Sequence, residues 1–504
     1  MKRFFKGMDI SSLPEYISSG EKFYNAAGKE TDAFDLLSEN GVNSVRLRIW
    51  NEPERVPDSG GWCSLSDTVA MGKRIKEHGM HFVLDFHYSD WWADPGQQNK
   101  PFAWKDLSFT ELVQAVYDYT FEVLTVLRDN GCLPDMVQVG NEIRSGMLFP
   151  DGAVPHHNNL ATLLNAGIRA VRDISPDIRV MIHLDQGGRF YCLKEWFDNV
   201  FAAGLLSIDA IGISFYSFWH GTFMDLRDSM RQLIDTYGLP VYVVETAHPW
   251  RTCPTGHVSE AQMKTAGLPA GIAEQKTSLQ LIMQIASSVS GNLDTGVYYW
   301  EPLVIPARGH GSWAENMGML DENGKALESF TAYRDFSPEA LPIADLDNYI
   351  EELYRVDEEL LPPVGTNLVA NGDFSDGDAG WWIYHSPENV TVNIKDNELF
   401  VSSNENFTFE IVRDVRVEKA GKYTLSVDYR GSNTTGVRIF LFLKVITCNG
   451  EHTHRTEIFP TDVRFVTQTL DDLELSTGQV QIGIRMETPP VFGRIRNFRL
   501  VETI

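Results

Sequence analysis

The chain has 504 residues, more than one ordinary domain holds, and its 43% hydrophobic and 11% aromatic content excludes wholesale disorder. A formal net charge of −26 repels phosphate backbones and anionic headgroups, which argues against nucleic acid and membrane partners and leaves a neutral polymer indifferent. Five scattered cysteines (Cys63, Cys132, Cys192, Cys253, Cys448) with no CxxC offer neither zinc-site spacing nor a disulfide framework and read as free thiols.

In chain order, the basic start Met1-Lys2-Arg3 is followed by no apolar stretch of signal-peptide type, and no run is long enough to span a bilayer. A cytoplasmic protein is the expectation, or a secreted one if a signal was cut away. Short apolar or alternating runs then recur: Phe5 to Ile10, Ser44 to Trp50, His81 to His87, Met136 to Glu142, Arg179 to Asp185, Ala210 to Tyr216, Val241 to Glu245 and Gly296 to Glu301. Between most of them lie helix-like stretches such as Asp67 to His78, Thr110 to Asn130, Leu160 to Ile174, Phe223 to Tyr237 and Gly271 to Val289. Three of these stop at His78-Gly79, Asn130-Gly131 and Tyr237-Gly238, as helix C-termini do. Strands alternating with helices in this way predict a (β/α)8 TIM barrel over residues 1–336. A doubly wound sheet is the alternative, but no Gly-rich phosphate turn follows the first strand.

An acidic, Pro-containing connector is expected at 337–366, with a short helical pattern near Asn348 to Leu360. From 367 to 504 strand-like runs replace helices: Glu398 to Ser402, Phe407 to Val412, Lys422 to Tyr429, Val437 to Ile446, Val480 to Met486 and Arg494 to Val501. This predicts an all-β sandwich of jelly-roll type.

The tips of the predicted barrel strands carry Asp9, Arg46/Arg48/Trp50, Asp85/His87, Asn141/Glu142, Asp185, Tyr216, Glu245 and Trp300/Glu301. In a barrel all of these converge on the C-terminal face. Two apolar strands, the fourth and seventh, end in Glu142 and Glu245, and an ionised acid at a buried tip is costly unless something holds it. Two carboxylates facing one cavity are the equipment for splitting a glycosidic bond, one as acid/base and one as nucleophile, about 5 Å apart in a retaining enzyme. Asn141 is placed to hold a sugar 2-hydroxyl. Arg46 could pair with Glu245 and keep it ionised, or pair structurally with Asp9 or Asp85. Tyr216 could donate to Glu245, and Trp300 could floor a sugar ring; the plainer alternative for both is core aromatic. His87, without a second His at suitable spacing, suits sugar binding or a structural hydrogen bond better than a metal.

These motifs resemble glycoside hydrolase family 53, the endo-β-1,4-galactanases. The carrying segments are Gly7-Met8-Asp9-Ile10-Ser11-Ser12-Leu13, Val45 to Pro53, Asp85-Phe86-His87-Tyr88-Ser89-Asp90-Trp91-Trp92-Ala93-Asp94-Pro95-Gly96, Gln138-Val139-Gly140-Asn141-Glu142-Ile143, Val244-Glu245-Thr246-Ala247 and Tyr298-Tyr299-Trp300-Glu301-Pro302. The resemblance implies Glu142 as acid/base, Glu245 as nucleophile, Asp90, Trp91 and Trp92 in a loop lining the sugar cleft, β-1,4-galactan or its oligosaccharides as substrate, and no cofactor. Bacterial members often carry calcium in the loop after strand seven. Here that loop, His248 to Ala273, holds Glu260 but no Asp, so no metal is expected. The C-terminal region resembles carbohydrate-binding modules, with Trp382 and Tyr384 as a candidate glycan platform; a sandwich that only braces the barrel is the alternative. The rival readings are a related enzyme acting on β-mannan or β-glucan, and a non-catalytic glycan-binding protein.

Overall fold

The computed structural model describes residues 2–252, 258, 262–263, 266–305, 316–338, 343, 345–354, 365–386, 390–432, 438–447, 450–458, 464–488 and 491–503. Within these, the chain divides into two compact units, Met1–Leu353 and Tyr354–Ile504. The first is built on eight strands: β1 (Phe4–Asp9), β2 (Ser44–Ile49), β3 (His81–Phe86), β4 (Met136–Val139), β5 (Arg179–Leu184), β6 (Ala210–Ser214), β7 (Val241–Thr246) and β8 (Thr295–Trp300). All neighbours pair in parallel, and β8 returns to β1 to close the barrel. Both faces of each strand are covered, which is why the strands read as near-continuous apolar runs.

Between the strands run α1 (Ala33–Glu39), α2 (Leu65–Glu77), α3 (Phe109–Asp129), α4 (His157–Ile174), α5 (Phe190–Ala202), α6 (Phe223–Tyr237) and α7 (Ile272–Val289). Ser64, Ser108 and Thr222 start α2, α3 and α6 with reciprocal capping boxes to Asp67, Glu111 and Asp225. Gly79, Gly131 and Gly238 follow α2, α3 and α6 with φ of +66°, +72° and +66°, the left-handed exit expected from the sequence. The chain closes the barrel floor with α8 (Ala332–Asp335), where Tyr333 donates its hydroxyl to Gly7 O at 2.5 Å.

The lower barrel interior is an apolar plug of Phe5, Val83, Met136, Met181, Ala210, Tyr242, Val244 and Tyr298. Gly7 makes room for it, since a Cβ there would sit 2.1 Å from the Tyr298 ring. Above the plug the interior turns polar: Arg46, Asp85, Gln138, His183 and Ser214 are all buried. Within the expected connector, the helical pattern anticipated near Asn348 to Leu360 is helix α9 (Leu346–Tyr354), whose Asp347 pairs with Arg227 of α6. The rest of its expected helical pattern, residues 355–360, lies outside the described residues.

The second unit is two five-stranded antiparallel sheets over one apolar core. Its strands are β9 (Trp382–Ser386), β10 (Thr391–Lys395), β11 (Glu398–Ser403), β12 (Phe407–Val417), β13 (Gly421–Gly431), β14 (Arg438–Thr447), β15 (Gly450–Glu457), β16 (Val466–Leu475), β17 (Gly478–Thr488) and β18 (Val491–Thr503). The sheet orders are β9-β12-β17-β14-β15 and β10-β11-β18-β13-β16. The three strands not anticipated, β10, β15 and β16, are sheet edges, where exposed polar residues dilute the apolar alternation. Trp381 is core at 6% exposure, tilted against Phe498 at 4.6 Å, while Trp382 and Tyr384 stand outward at 36% and 58%.

Candidate active site

β4 stops at Val139, three residues short of the expected tip. Gly140 turns left-handed (φ +86°), and Glu142 does the same (φ +46°) as it opens the short turn Ile143–Ser145. A left-handed glutamate is strained by about 1–3 kcal/mol and persists only where its neighbours hold it. Gln98 Nε2 donates to Asn141 O at 2.8 Å, Asn141 Nδ2 donates to Ala93 O at 2.8 Å, and Trp196 Nε1 donates to Ile143 O at 3.1 Å. The turn swings Glu142 off the barrel wall into a cleft of about 420 Å³ at the C-terminal end of the strands.

Glu245, on β7, enters the same cleft from across the barrel. Its environment differs. Arg46 of β2, 1% exposed, places Nη1 3.0 Å from Glu245 Oε1, and Tyr216 OH donates to Oε2 at 3.3 Å. Both alternatives for Arg46 hold at once: Nη1 also reaches Asp9 at 2.8 Å, and Nη2 reaches Asp85 at 2.8 Å and Asn141 Oδ1 at 2.9 Å. Gln138 Oε1 accepts from Arg46 Nε at 3.1 Å. One buried guanidinium therefore holds three carboxylates. Removing it leaves them unpaired in the interior, so Arg46→Met is expected to destabilise the first unit by about 3–5 kcal/mol. Urea denaturation of the variant against the parent chain measures it, and an unchanged midpoint would refute the hub.

Burial pushes both catalytic-candidate carboxyls up from the ordinary glutamate range. Glu142 rises well above it, through desolvation first, then the charges of Glu245 and Asp185, opposed by the Ser214 hydrogen bond. Glu245 rises to about 7 through desolvation, held back by the Arg46 charge. Arg46 thus separates the pair, leaving Glu142 the carboxyl with the higher affinity for a proton. Groups whose folded pKa is raised bind protons more tightly folded than unfolded. Their contribution to stability is present at low pH and falls as pH climbs from the unfolded value through about 7 for Glu245 and beyond for Glu142. Glu142→Gln, which cannot ionise, is expected to raise the melting temperature at neutral pH, by about 2–4 °C for each kcal/mol recovered. The gain should shrink at pH 4; a variant less stable than the parent at pH 7 would contradict it.

The cleft walls are aromatic and polar. His87 and Trp300 line it, as do Tyr216 and Asp185, whose carboxylate accepts from Arg144 Nε at 2.9 and 3.0 Å. His87 Nδ1 accepts from Trp50 Nε1 at 3.2 Å and from Ala93 N at 3.1 Å, so its proton sits on Nε2, facing Asp85 at 3.2 Å. The ring is thus a hydrogen-bonded part of the cleft wall. Trp92 lies 5.9 Å from Trp300, and Arg48 stacks on it at 4.1 Å while pairing with Glu301 at 2.5 Å. Asp90 and Trp91, expected along the cleft, are not among its lining residues. The Asp90 carboxylate accepts from the backbone N–H groups of Glu52 and Phe102, and the Trp91 ring packs 4.9 Å from Trp50. They shape the loop that carries Trp92.

Sequence reasoning missed Gln138, His183 and Ser214 as site residues. Each is a polar side chain inside an otherwise apolar strand, MVQV, RVMIHL and AIGIS, and that mismatch was the available signal. Among the described residues no group of three or more His, Cys, Asp or Glu is placed to hold a metal ion, and Glu260 lies outside the described residues. Cys63, Cys132 and Cys192 are free thiols, while Cys253 and Cys448 lie outside the described residues.

The model of glycosyl hydrolase family 53 matches residues 5–333. An uncharacterized protein from the bgaB 5′ region of Niallia circulans is 42% identical over 348 residues, 66% of this chain and 93% of its own length. The arabinogalactan endo-β-1,4-galactanase A of Emericella nidulans is 36% identical over 340 residues, 66% of this chain and 94% of its own. Among solved structures, the GH53 catalytic domain of Ignisphaera aggregans shares 39% identity at a TM-score of 0.63, covering 66% of this chain and 95% of that one. A fungal β-1,4-galactanase shares 33% at a TM-score of 0.60, covering 66% and 99%.

Proposed function

The chain belongs to glycosyl hydrolase family 53, and from that premise we propose that it hydrolyses β-1,4-galactosidic bonds in galactan or galacto-oligosaccharides with retention, using Glu142 as acid/base and Glu245 as nucleophile. The observation that carries the role assignment is the unequal treatment of the two carboxyls. Arg46 reaches Glu245 at 3.0 Å, whereas Glu142 Oε1 meets the neutral Ser214 hydroxyl at 2.5 Å. An ionised nucleophile needs the first environment and a protonated acid the second.

In the first step a Glu245 oxygen bonds to the anomeric carbon as the C1–O bond to the leaving sugar breaks. The Glu142 proton passes to the departing oxygen. In the second step Glu142 takes a proton from water, whose oxygen bonds to C1 and releases Glu245. Asn141 has one amide hydrogen beyond that given to Ala93 O, available for a sugar 2-hydroxyl. Trp92 and Trp300 supply aromatic faces for the apolar sides of pyranoses.

The test is product analysis on linear β-1,4-galactan, β-1,4-mannan and mixed-linkage β-glucan. Short galacto-oligosaccharides from galactan alone support the reading; cleavage of mannan or glucan instead overturns the substrate and keeps the two glutamates.

The exposure of Trp382 and Tyr384, two residues apart on β9, supports a glycan platform on the second unit. Replacing both with alanine is expected to weaken retention on galactan in affinity electrophoresis by about tenfold and to leave hydrolysis of short oligosaccharides unchanged. Equal retention would leave the unit a structural brace.

A further inference from the structure

A buried chain of hydrogen bonds leads away from Glu142, and the two-step mechanism does not use it. Ser214 Oγ lies 2.5 Å from Glu142 Oε1 and 2.8 Å from His183 Nε2. His183 Nδ1 lies 3.1 Å from Gln138 Nε2 and 3.0 Å from Asn141 Oδ1. Ser214, His183 and Gln138 are 0% exposed. Two of these side chains have fixed orientations: Gln138 Oε1 and Asn141 Oδ1 both accept from Arg46. Gln138 Nε2 is therefore a donor, with one hydrogen on Asp85 Oδ1 at 2.5 Å and the second shared between Gly140 O and His183 Nδ1, each at 3.1 Å, and Asn141 Oδ1 is an acceptor.

The Ser214 hydroxyl has one proton and lies between two groups that can each accept it. With His183 protonated on Nδ1, that nitrogen donates to Asn141 Oδ1 and bare Nε2 takes the Ser214 proton. The 2.5 Å contact to Glu142 then needs the carboxyl's own proton, on Oε1. That proton is spent on serine and is withheld from a leaving group. With His183 protonated on Nε2, the ring donates to Ser214 and the hydroxyl can only donate to Glu142 Oε1. The carboxyl proton is then driven to Oε2, and Gln138 Nε2 donates to bare Nδ1.

Resting on the assignment of Glu142 as acid/base, we propose that His183 and Ser214 are positioning residues that place the Glu142 proton on Oε2, by holding Ser214 as a donor to Oε1. The same donor stabilises the carboxylate left after proton transfer, which makes Glu142 a stronger acid. Burial and the charge of Arg46, with smaller effects of His87 and His220, keep His183 neutral, as the device requires. The other charged or titratable groups facing Glu142 are Glu245 and Tyr216, Asp185, Asp94 and Arg144. None of the acids among them donates to Oε1 as Ser214 does.

The test compares Ser214→Ala and Ser214→Thr in the full chain, by kcat/KM against pH on β-1,4-galactan and on a dinitrophenyl β-galactoside. A carboxylate that loses a donor is a weaker acid. Ser214→Ala should move the alkaline limb up by about one pH unit. It should cut kcat/KM on galactan by about tenfold while sparing the activated substrate, which needs little acid help. Ser214→Thr, which keeps the hydroxyl, should restore both. An unmoved limb with equal losses on the two substrates overturns the proposal. Should Ser214→Ala not fold, His183→Gln against His183→Leu asks the same question one link further back: Gln keeps a donor towards Ser214 and Leu does not, and identical limbs overturn it. Glu142→Ala run alongside separates the two readings. If it cleaves galactan normally, the acid assignment falls; if it is inactive while the Ser214 limb stays put, only the positioning role falls.

Discussion

Glu245→Ala is expected to abolish turnover on galactan, by on the order of 10⁵-fold or more, because no second group can form the covalent intermediate. The fold should survive. Arg46 keeps Asp9 at 2.8 Å and Asp85 at 2.8 Å after its Glu245 contact is lost, so its charge is not orphaned. The lost carboxyl is one that burial already disfavours in its ionised form. Binding of galacto-oligosaccharides should persist, since the aromatic walls at Trp92 and Trp300 are untouched. Calorimetric titration of the inactive variant checks this. A small anion such as azide fits the vacated space. Its attack on C1 of an activated glycoside should give the α-glycosyl azide, inverted once where the parent enzyme inverts twice. Full activity in Glu245→Ala would remove the nucleophile assignment, and a β-configured azide would remove retention.

Glu142→Ala is expected to show a different pattern. On natural galactan the leaving oxygen belongs to a sugar and needs a proton, so the loss should be about 10²–10⁴-fold. On a dinitrophenyl galactoside the leaving group departs as an anion, and kcat/KM should fall little. Its kcat should still drop, because the second step has lost its base, and a burst of phenolate should precede slow turnover. Equal losses on both substrates, with no burst, would count against the acid/base role. The two variants together read the asymmetry that Arg46 imposes on the pair.

Much of this architecture was legible in the sequence because it is written in local periods. Runs such as Val241 to Glu245 and helix ends such as Asn130-Gly131 need only near neighbours to be recognised. Three edge strands of the second unit were not legible, since β15, Gly450–Glu457, carries hardly an apolar residue and is a strand only because β14 pairs with it. Asp90 shows the same limit at the site. The resemblance puts it in a loop lining the sugar cleft, and only the fold shows that its carboxylate accepts from the backbone N–H groups of Glu52 and Phe102.

The sequence by itself determined the barrel, the two carboxylates at the ends of its fourth and seventh strands, and the family motifs around them, because these depend on the order and spacing of residues along one chain. Only the tertiary structure decided how the carboxylates differ. Arg46 comes from β2 and Glu245 from β7, and barrel closure brings them to 3.0 Å, while Glu142 faces a serine from β6. Proton affinity in a buried site is set by charges and donors within a few ångströms. Those neighbours come from strands far apart in sequence, so no spacing along the chain encodes them.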